Sequence, residues 1–310
     1  MNNDLYNPLI SILIPTFNRE KYIESCVKSA LNQTYKNIEI IIVDNASTDQ
    51  TWQILNDLKK KDIRIKIFQN ESNIGPVMNW KNCIDLSSGE LVKILFSDDL
   101  LDKDFLKKSV HYFKDENIGF SFTSVKIFSA NNSRLRYQIG PSKIYDSEKF
   151  IKGSILGKDY PLSPGCAIFR KQAIKKNLLS EIPNKLNIDY KSTGAGNDLL
   201  IFLLTCLDYK KFAFIDEPLS LFRSHNQSIS DSSQKNQLHL SYLVAKSFFI
   251  ETYFSTFIQT FNSHLILIRL KNKDLRKFLT YSNIYNDNKD FSLDYFYFIK
   301  KTVQKIKSLA

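Results

Sequence analysis

Asp98 and Asp99 are adjacent carboxylates that follow, after Ser97, on the apolar run LVKILF of residues 91–96. Two like charges side by side repel, and a divalent cation that neutralises both gives the pair a chemical use. Oxygen ligands suit Mg2+ or Mn2+, and such an ion bridges the diphosphate of a bound nucleotide and stabilises charge on a leaving group. The competing reading is a solvated turn that caps a helix beginning near Asp102. Three other apolar runs also end in polar residues: Pro15-Thr16-Phe17-Asn18 after LISILI (9–14), Asp44-Asn45 after IEIIIV (38–43), and Asn73 with Gly75 after IRIKIF (63–68).

These residues need elements to bring them together. Short apolar runs alternate with helix-period segments over the first hundred residues, the pattern of strands joined by helical crossovers into a mostly parallel sheet. Ligands bind such sheets beyond the carboxyl ends of the strands, so the four polar ends predict one pocket. Ile23, Cys26, Val27, Ala30 and Leu31 recur at helical spacing, with Asn18 as the expected cap. Ser47 with Gln50 reads as a capping box for a helix through Trp52, Leu55 and Leu58. Gly75-Pro76 opens a third helix that Ser87-Ser88-Gly89 stops. Further on, IGFSFT and VKIF read as strands, Asp198-LLIFLLTCL as an apolar helix and FAFI (212–215) as a short strand. From about residue 235 the chain reads as helices rich in Phe, Tyr, Ile and Lys. The expected architecture is an α/β domain over residues 1–234 with a helical, basic and aromatic extension over 235–310.

With 310 residues and 43% hydrophobic content, the chain can bury a full core. The start, MNNDLYNPLISILIP, lacks a basic segment ahead of a long apolar one, and no long window is free of charge, so neither secretion nor a membrane span is expected. Cys26, Cys83, Cys166 and Cys206 are scattered and form no CxxC pair, as small buried hydrophobes in a reducing, cytoplasmic setting would be. Net charge is +11 and is concentrated late: residues 235–310 hold 12 Lys and Arg against 5 Asp and Glu, and residues 1–234 hold 31 against 27. Such a balance suits anionic lipid, diphosphate-bearing substrates or nucleic acid, and charge alone does not choose among them. The chain contains neither G-x-G-x-x-G nor G-x-x-x-x-G-K-[ST], which removes the main support for dinucleotide and P-loop readings.

The run ISILIPTFNREKYIESCVKSALNQTYKNIEIIIVDNASTDQT, then NESNIGPVMNW, then GELVKILFSDD, resembles the nucleotide-binding half of family 2 glycosyltransferases, which have the GT-A fold. The likeness is dense over residues 9–101 and sparser to about 230. It implies that Pro15, Thr16 and Asn18 line a nucleoside pocket, with Asn73 and Gly75 on the donor side. Asp44 would bond the base, and Asp98-Asp99 would bind metal and the diphosphate of a nucleotide sugar, UDP being the expected nucleotide. Two positions depart from the family pattern. Phe96 stands where an Asp commonly precedes the pair by two residues, shifting the metal toward Asp99 and Asp98 toward the ribose, and Val77-Met78-Asn79-Trp80 replaces a common Ala-Arg-Asn segment.

The same resemblance makes Asn197-Asp198 the counterpart of a Glu-Asp pair at the head of an acceptor-side helix, with Asp198 as the general base that takes a proton from the attacking sugar hydroxyl. A helix N-cap is the plainer role for that Asp. Arg223-Ser-His225 resembles an Arg-x-His segment near the donor diphosphate, making His225 a candidate third metal ligand or phosphate contact, and Pro164-Gly165-Cys166 resembles a segment lining the acceptor side. The implied reaction is inverting transfer to a hydroxyl of a glycan or lipid-linked acceptor in bacterial surface-polysaccharide synthesis, with no nucleic-acid partner. A nucleotidyltransferase would show a glycine-rich loop where this chain has PTFNRE, and a non-catalytic carbohydrate-binding relative would have no need of both the acidic pair and a base. For the tail, Phe248, Phe249, Phe254, Phe257 and Phe261 beside Lys246, Arg269, Lys271, Lys273, Arg276 and Lys277 raise two expectations. One is peripheral docking on an anionic membrane, at the inner face of the cell membrane. The other is packing against the core or against a second copy in a homo-oligomer.

Overall fold

The computed structural model describes residues 6–225, 235–287 and 291–307. Its frame is a single sheet begun by four parallel strands: β1 (Ile10–Thr16), β2 (Ile38–Asp44), β3 (Ile65–Gln69) and β4 (Leu91–Ile94), in the order β3-β2-β1-β4. Helices α1 (Ile23–Leu31), α2 (Thr51–Lys59) and α3 (Pro76–Leu86) make the crossovers. Strands covered on both faces need no polar side, and every residue of β1 and β2 is buried. Alternate residues feed separate cores: Ile10, Ile12 and Ile14 pack with α1 and α2, while Leu13, Ile41 and Val43 pack with α3.

Beyond β4 the sheet changes direction. β9 (Ala167–Arg170) is antiparallel to both β4 and β6 (Ile118–Phe128), and β10 (Lys211–Arg223) lies parallel to β6 and ends against the two-residue β5 (Leu100–Leu101). The two strands expected at IGFSFT and VKIF are one, β6. The short strand expected at 212–215 runs on to Arg223, because register shifts on either side of Pro218 let β10 continue past a residue that has no N–H to give.

Two expected caps are replaced. Helix α1 begins at Ile23, so Asn18 is not its cap; Asn18 takes a left-handed φ of 52° and binds the neighbouring loop instead. Ser47 does not cap α2, since its hydroxyl is drawn back to Asp44, and Gln50 takes the N-cap position with no side-chain bond. Gly75 behaves as expected, its φ of 81° preceding Pro76 at the first turn of α3.

Residues 235–287 do not build a core of their own. Helices α9 (Lys235–Tyr253) and α10 (Ile258–Lys271) place Leu243, Val244, Phe249, Ile250, Phe261 and Leu265 in the same cluster as Leu199–Leu204 of α8 (Asn197–Asp208). Phe249 and Phe261 are fully buried, and Phe248, Phe254 and Phe257 lie partly covered against that cluster, so the stretch packs on the core as the second expectation had it. The expected junction at 234/235 borders residues 226–234, which lie outside the described residues. All four cysteines are buried and free. Among the described residues no helix is long and apolar enough to cross a membrane.

Candidate active site

The carboxyl ends of β1 and β2 are tied by bonds between their loops. Asn18 N donates to Ser47 Oγ (2.9 Å), Thr48 N donates to Asn18 Oδ1 (2.8 Å), and Arg19 N donates to Thr51 Oγ1 (2.7 Å). Asp44 is fully buried, its carboxylate accepting from Ser47 and from Gln69 Nε2 (2.9 Å). Asn45 Nδ2 donates to Asn73 Oδ1 (2.7 Å), which also accepts from Gly75 N (3.0 Å), so the third strand end is fixed to the second. Pro15 and Thr16 complete β1, and Thr16 Oγ1 is a buried hydroxyl oxygen with no hydrogen-bond partner among the described residues.

Asp98 and Asp99 face different partners. Asp98 Oδ2 contacts His225 Nε2 (3.0 Å) and lies 3.5 Å from Arg19 Nε. Asp99 Oδ1 accepts from Arg223 N (2.8 Å), while the Arg223 guanidinium donates to the Asp98 carbonyl (2.9 Å) and lies over the rings of Tyr22 and Phe128. Burial, then the Asp98 charge, pushes the Asp99 carboxyl well above the usual carboxylate range. Behind it Lys93, fully buried in β4, donates to the carbonyls of Ile94 and Gly165, and burial lowers its ammonium to about 8. Asp98 and His225 therefore meet, while Asp99 turns to the backbone of β10. Among the described residues no three or more His, Cys, Asp or Glu side chains converge on one metal position. Two adjacent hard oxygen donors, one of them buried, still fit a Mg2+ or Mn2+ ion by their chemistry.

Phe96 is a wall in place of a ligand. Its ring lies 5.6 Å from that of Trp80 and against Gly165, where an added Cβ would come within 3.0 Å of it. The closeness Gly165 allows is thus to Phe96 and Phe222. Trp80 in turn packs on Gly194, linking the acidic pair to the turn that presents Asp198. That turn depends on Gly196, whose φ of 118° and whose contact with the Tyr190 ring leave no room for a side chain.

Asp198 sits at the head of α8, 8% exposed. Its Oδ1 accepts from Gly196 N and Leu199 N (both 2.8 Å), and Oδ2 accepts from the Tyr242 hydroxyl of α9 (2.6 Å). Burial raises its carboxyl to about 6 against the pull of these bonds, the range of a base that works near neutrality. Asn197 beside it is fully buried; its Nδ2 donates to Leu179 O (2.6 Å), and its Oδ1 has no hydrogen-bond partner among the described residues. Arg19, Lys93 and Tyr242 belong to the site and were not foreseen. A lysine inside a strand covered on both faces is the one sequence signal among them, because lysine is almost never fully buried without a task.

A profile of glycosyl transferase family 2 matches residues 11–178. The putative teichuronic acid biosynthesis glycosyltransferase TuaG of Bacillus subtilis is 32% identical over 152 residues, 49% of this chain and 60% of TuaG. The Escherichia coli UDP-Glc:alpha-D-GlcNAc-diphosphoundecaprenol beta-1,3-glucosyltransferase WfaP is 39% identical over 120 residues, 38% of this chain and 47% of WfaP. The chain thus spans three fifths or less of the length of these relatives. Among solved structures, Staphylococcus aureus TarS 1–349 in complex with UDP-GlcNAc superposes with a TM-score of 0.61 at 19% identity, covering 86% of this chain and 72% of that one, a likeness of fold.

Proposed function

Since the chain belongs to glycosyl transferase family 2, we propose that it is an inverting transferase moving a sugar from a nucleoside-diphosphate donor, UDP for preference, to a hydroxyl of a lipid-linked or polymeric glycan. The nucleotidyltransferase alternative falls with that membership. The acceptor class is taken from the relatives, one named for teichuronic acid biosynthesis and one for a diphosphoundecaprenol-linked acceptor; the latter also names UDP-Glc.

The observation that carries the reading is Asp198, a buried carboxylate held near neutrality with one oxygen only partly engaged. Oδ2 accepts one hydrogen bond from Tyr242 and keeps a lone pair for the acceptor hydroxyl. As that hydroxyl oxygen attacks the anomeric carbon, its proton passes to Oδ2 and the nucleoside diphosphate departs from the opposite face, so the anomeric centre inverts. Oδ1, holding two backbone N–H groups, fixes the carboxylate in place. On the donor side Thr16, Asn18, Asp44, Asn73 and Gly75 shape the nucleoside pocket, with the unpartnered Thr16 hydroxyl as a group for the ligand to satisfy. Arg19 and Arg223 bring guanidinium charge to the diphosphate. Asp98 and Asp99, with His225 beside Asp98, would hold Mn2+ or Mg2+, which neutralises the leaving diphosphate when bound. Keeping water out of this geometry limits hydrolysis of the donor.

The test is nucleoside-diphosphate release from a panel of nucleotide sugars, with Mn2+ and a polyprenyl-diphosphate-linked acceptor, and NMR assignment of the product anomer. Release dependent on the acceptor, with inversion, supports the reading. Retention, or release indifferent to every acceptor, overturns it.

A further inference from the structure

Phe249 and Phe261 of the tail are spent on the core, and a different helix carries the exposed apolar groups beside lysines that docking on a membrane needs. α12 (Tyr295–Lys307) packs against α10. Asp294 just ahead of it accepts from Thr260 Oγ1 (2.8 Å) and from Tyr297 N (2.9 Å), and the Tyr297 hydroxyl meets His264 Nδ1 (3.0 Å). The outward side is apolar. Tyr295 is 72% exposed, Phe296 79%, Ile299 61% and Val303 44%, and the spacing of 295, 299 and 303, with 296 adjacent, sets all four on one stripe. A surface helix ordinarily turns such a stripe to the core and its charges to water, so an outward stripe needs a partner.

Charge identifies the partner. Residues 295–307 contain four lysines and no acidic residue, and Lys300 and Lys301 are exposed. Lys271 at the end of α10 adds to this field, since it and Lys301 both act on His264. A second copy of the chain would set lysines against lysines across the stripe, and a nucleic acid would leave the aromatic and aliphatic groups unused. A bilayer with anionic headgroups takes both, the stripe at the acyl boundary and the lysines among the phosphates. We propose that α12 is a membrane-surface helix that seats the protein on anionic lipid through Tyr295, Phe296, Ile299 and Val303, with Lys300 and Lys301 at the headgroups. The inference rests on exposure and charge and stands independently of the transfer reaction.

The experiment is flotation of the full chain with vesicles of phosphatidylcholine alone and of phosphatidylcholine with one quarter phosphatidylglycerol, at low and high salt. The wild type is expected to float with the anionic vesicles, to bind the neutral ones more weakly, and to be released by salt. Phe296→Gln with Ile299→Gln, both on exposed positions, should weaken binding at least tenfold on the order of magnitude set by interfacial burial of two large apolar groups. Lys300→Gln with Lys301→Gln should cost about fivefold per charge on anionic vesicles only. Thermal melts of each variant confirm that the fold is kept. Failure of the wild type to float, or flotation of the Phe296/Ile299 variant equal to wild type, overturns the proposal. So does a wild-type dimer that this variant turns into a monomer without any lipid binding, which would make the stripe a self-association surface.

Discussion

Replacing Asp198 with Asn separates what its charge does for the reaction from what it does to the fold. The amide has the same shape; its oxygen can accept from Gly196 N and Leu199 N, and its NH2 can donate to the Tyr242 oxygen, so the three bonds of the carboxylate have counterparts. Burial raises the carboxyl from 3.8 to about 6, so the folded protein binds this proton more tightly than the unfolded chain does. The stabilisation is complete below the unfolded value of 3.8 and is lost as pH rises through about 6. A shift of about two units is worth roughly 3 kcal/mol, and above pH 6 the wild type bears that cost while an uncharged Asn does not. Urea unfolding of both proteins from pH 4 to pH 8 should therefore show the Asn variant gaining on wild type by roughly 2 kcal/mol between pH 4 and 6.5, with a near-constant gap above. Donor binding should be unchanged, and turnover should fall by about 10² to 10⁴-fold, the contribution of a positioned general base. A stability gap independent of pH would mean that the carboxyl is not perturbed. Turnover within a few-fold of wild type would mean that the base lies elsewhere.

Tyr242→Phe removes a hydrogen bond that favours the ionised Asp198, so the acid limb of the pH–rate profile, expected near 6 in the wild type, should move to higher pH while donor affinity stays constant. Asp99→Asn should sharply weaken donor binding in the presence of Mn2+ by calorimetry, and Asp98→Asn should do so less; wild-type affinity in the Asp99 variant would refute the role given to that carboxylate. Deleting residues 236–310 removes Leu243, Val244, Phe249, Ile250, Phe261 and Leu265 from the core they share with α8, so the shortened chain should be insoluble or lack a cooperative melt. A truncated protein that melts cooperatively near the wild-type temperature would refute that shared core.

What could be read from the sequence was what short-range pattern encodes. β1, β2 and β4 declare themselves because strands buried on both faces are mostly apolar, with single polar residues such as Ser11, Glu39 and Lys93, and the polar residues that end β1 and β2 or follow β4 mark the pocket. Gly75-Pro76 fixes the start of α3 for reasons internal to two residues. The failures share a cause: a polar side chain has several partners within reach, and only the fold chooses. Ser47 has the spacing of a capping box, but Asp44, three residues earlier, takes its hydroxyl. Asn18 has the identity of a cap, but a left-handed φ turns it to Thr48. The aromatic helices α9 and α10 have the composition of a membrane anchor because burial against another helix and burial in a bilayer call for the same residues, and what separates them is whether a covering surface exists. For α9 that surface is α8, and the consequence reaches the chemistry: Tyr242 meets a carboxylate 44 residues away in the chain. No periodicity within either segment could announce that pairing. It makes the helices after residue 235 part of the catalytic apparatus proposed here, because the protonation state of Asp198 is set jointly by the burial they provide and by the hydroxyl they bring.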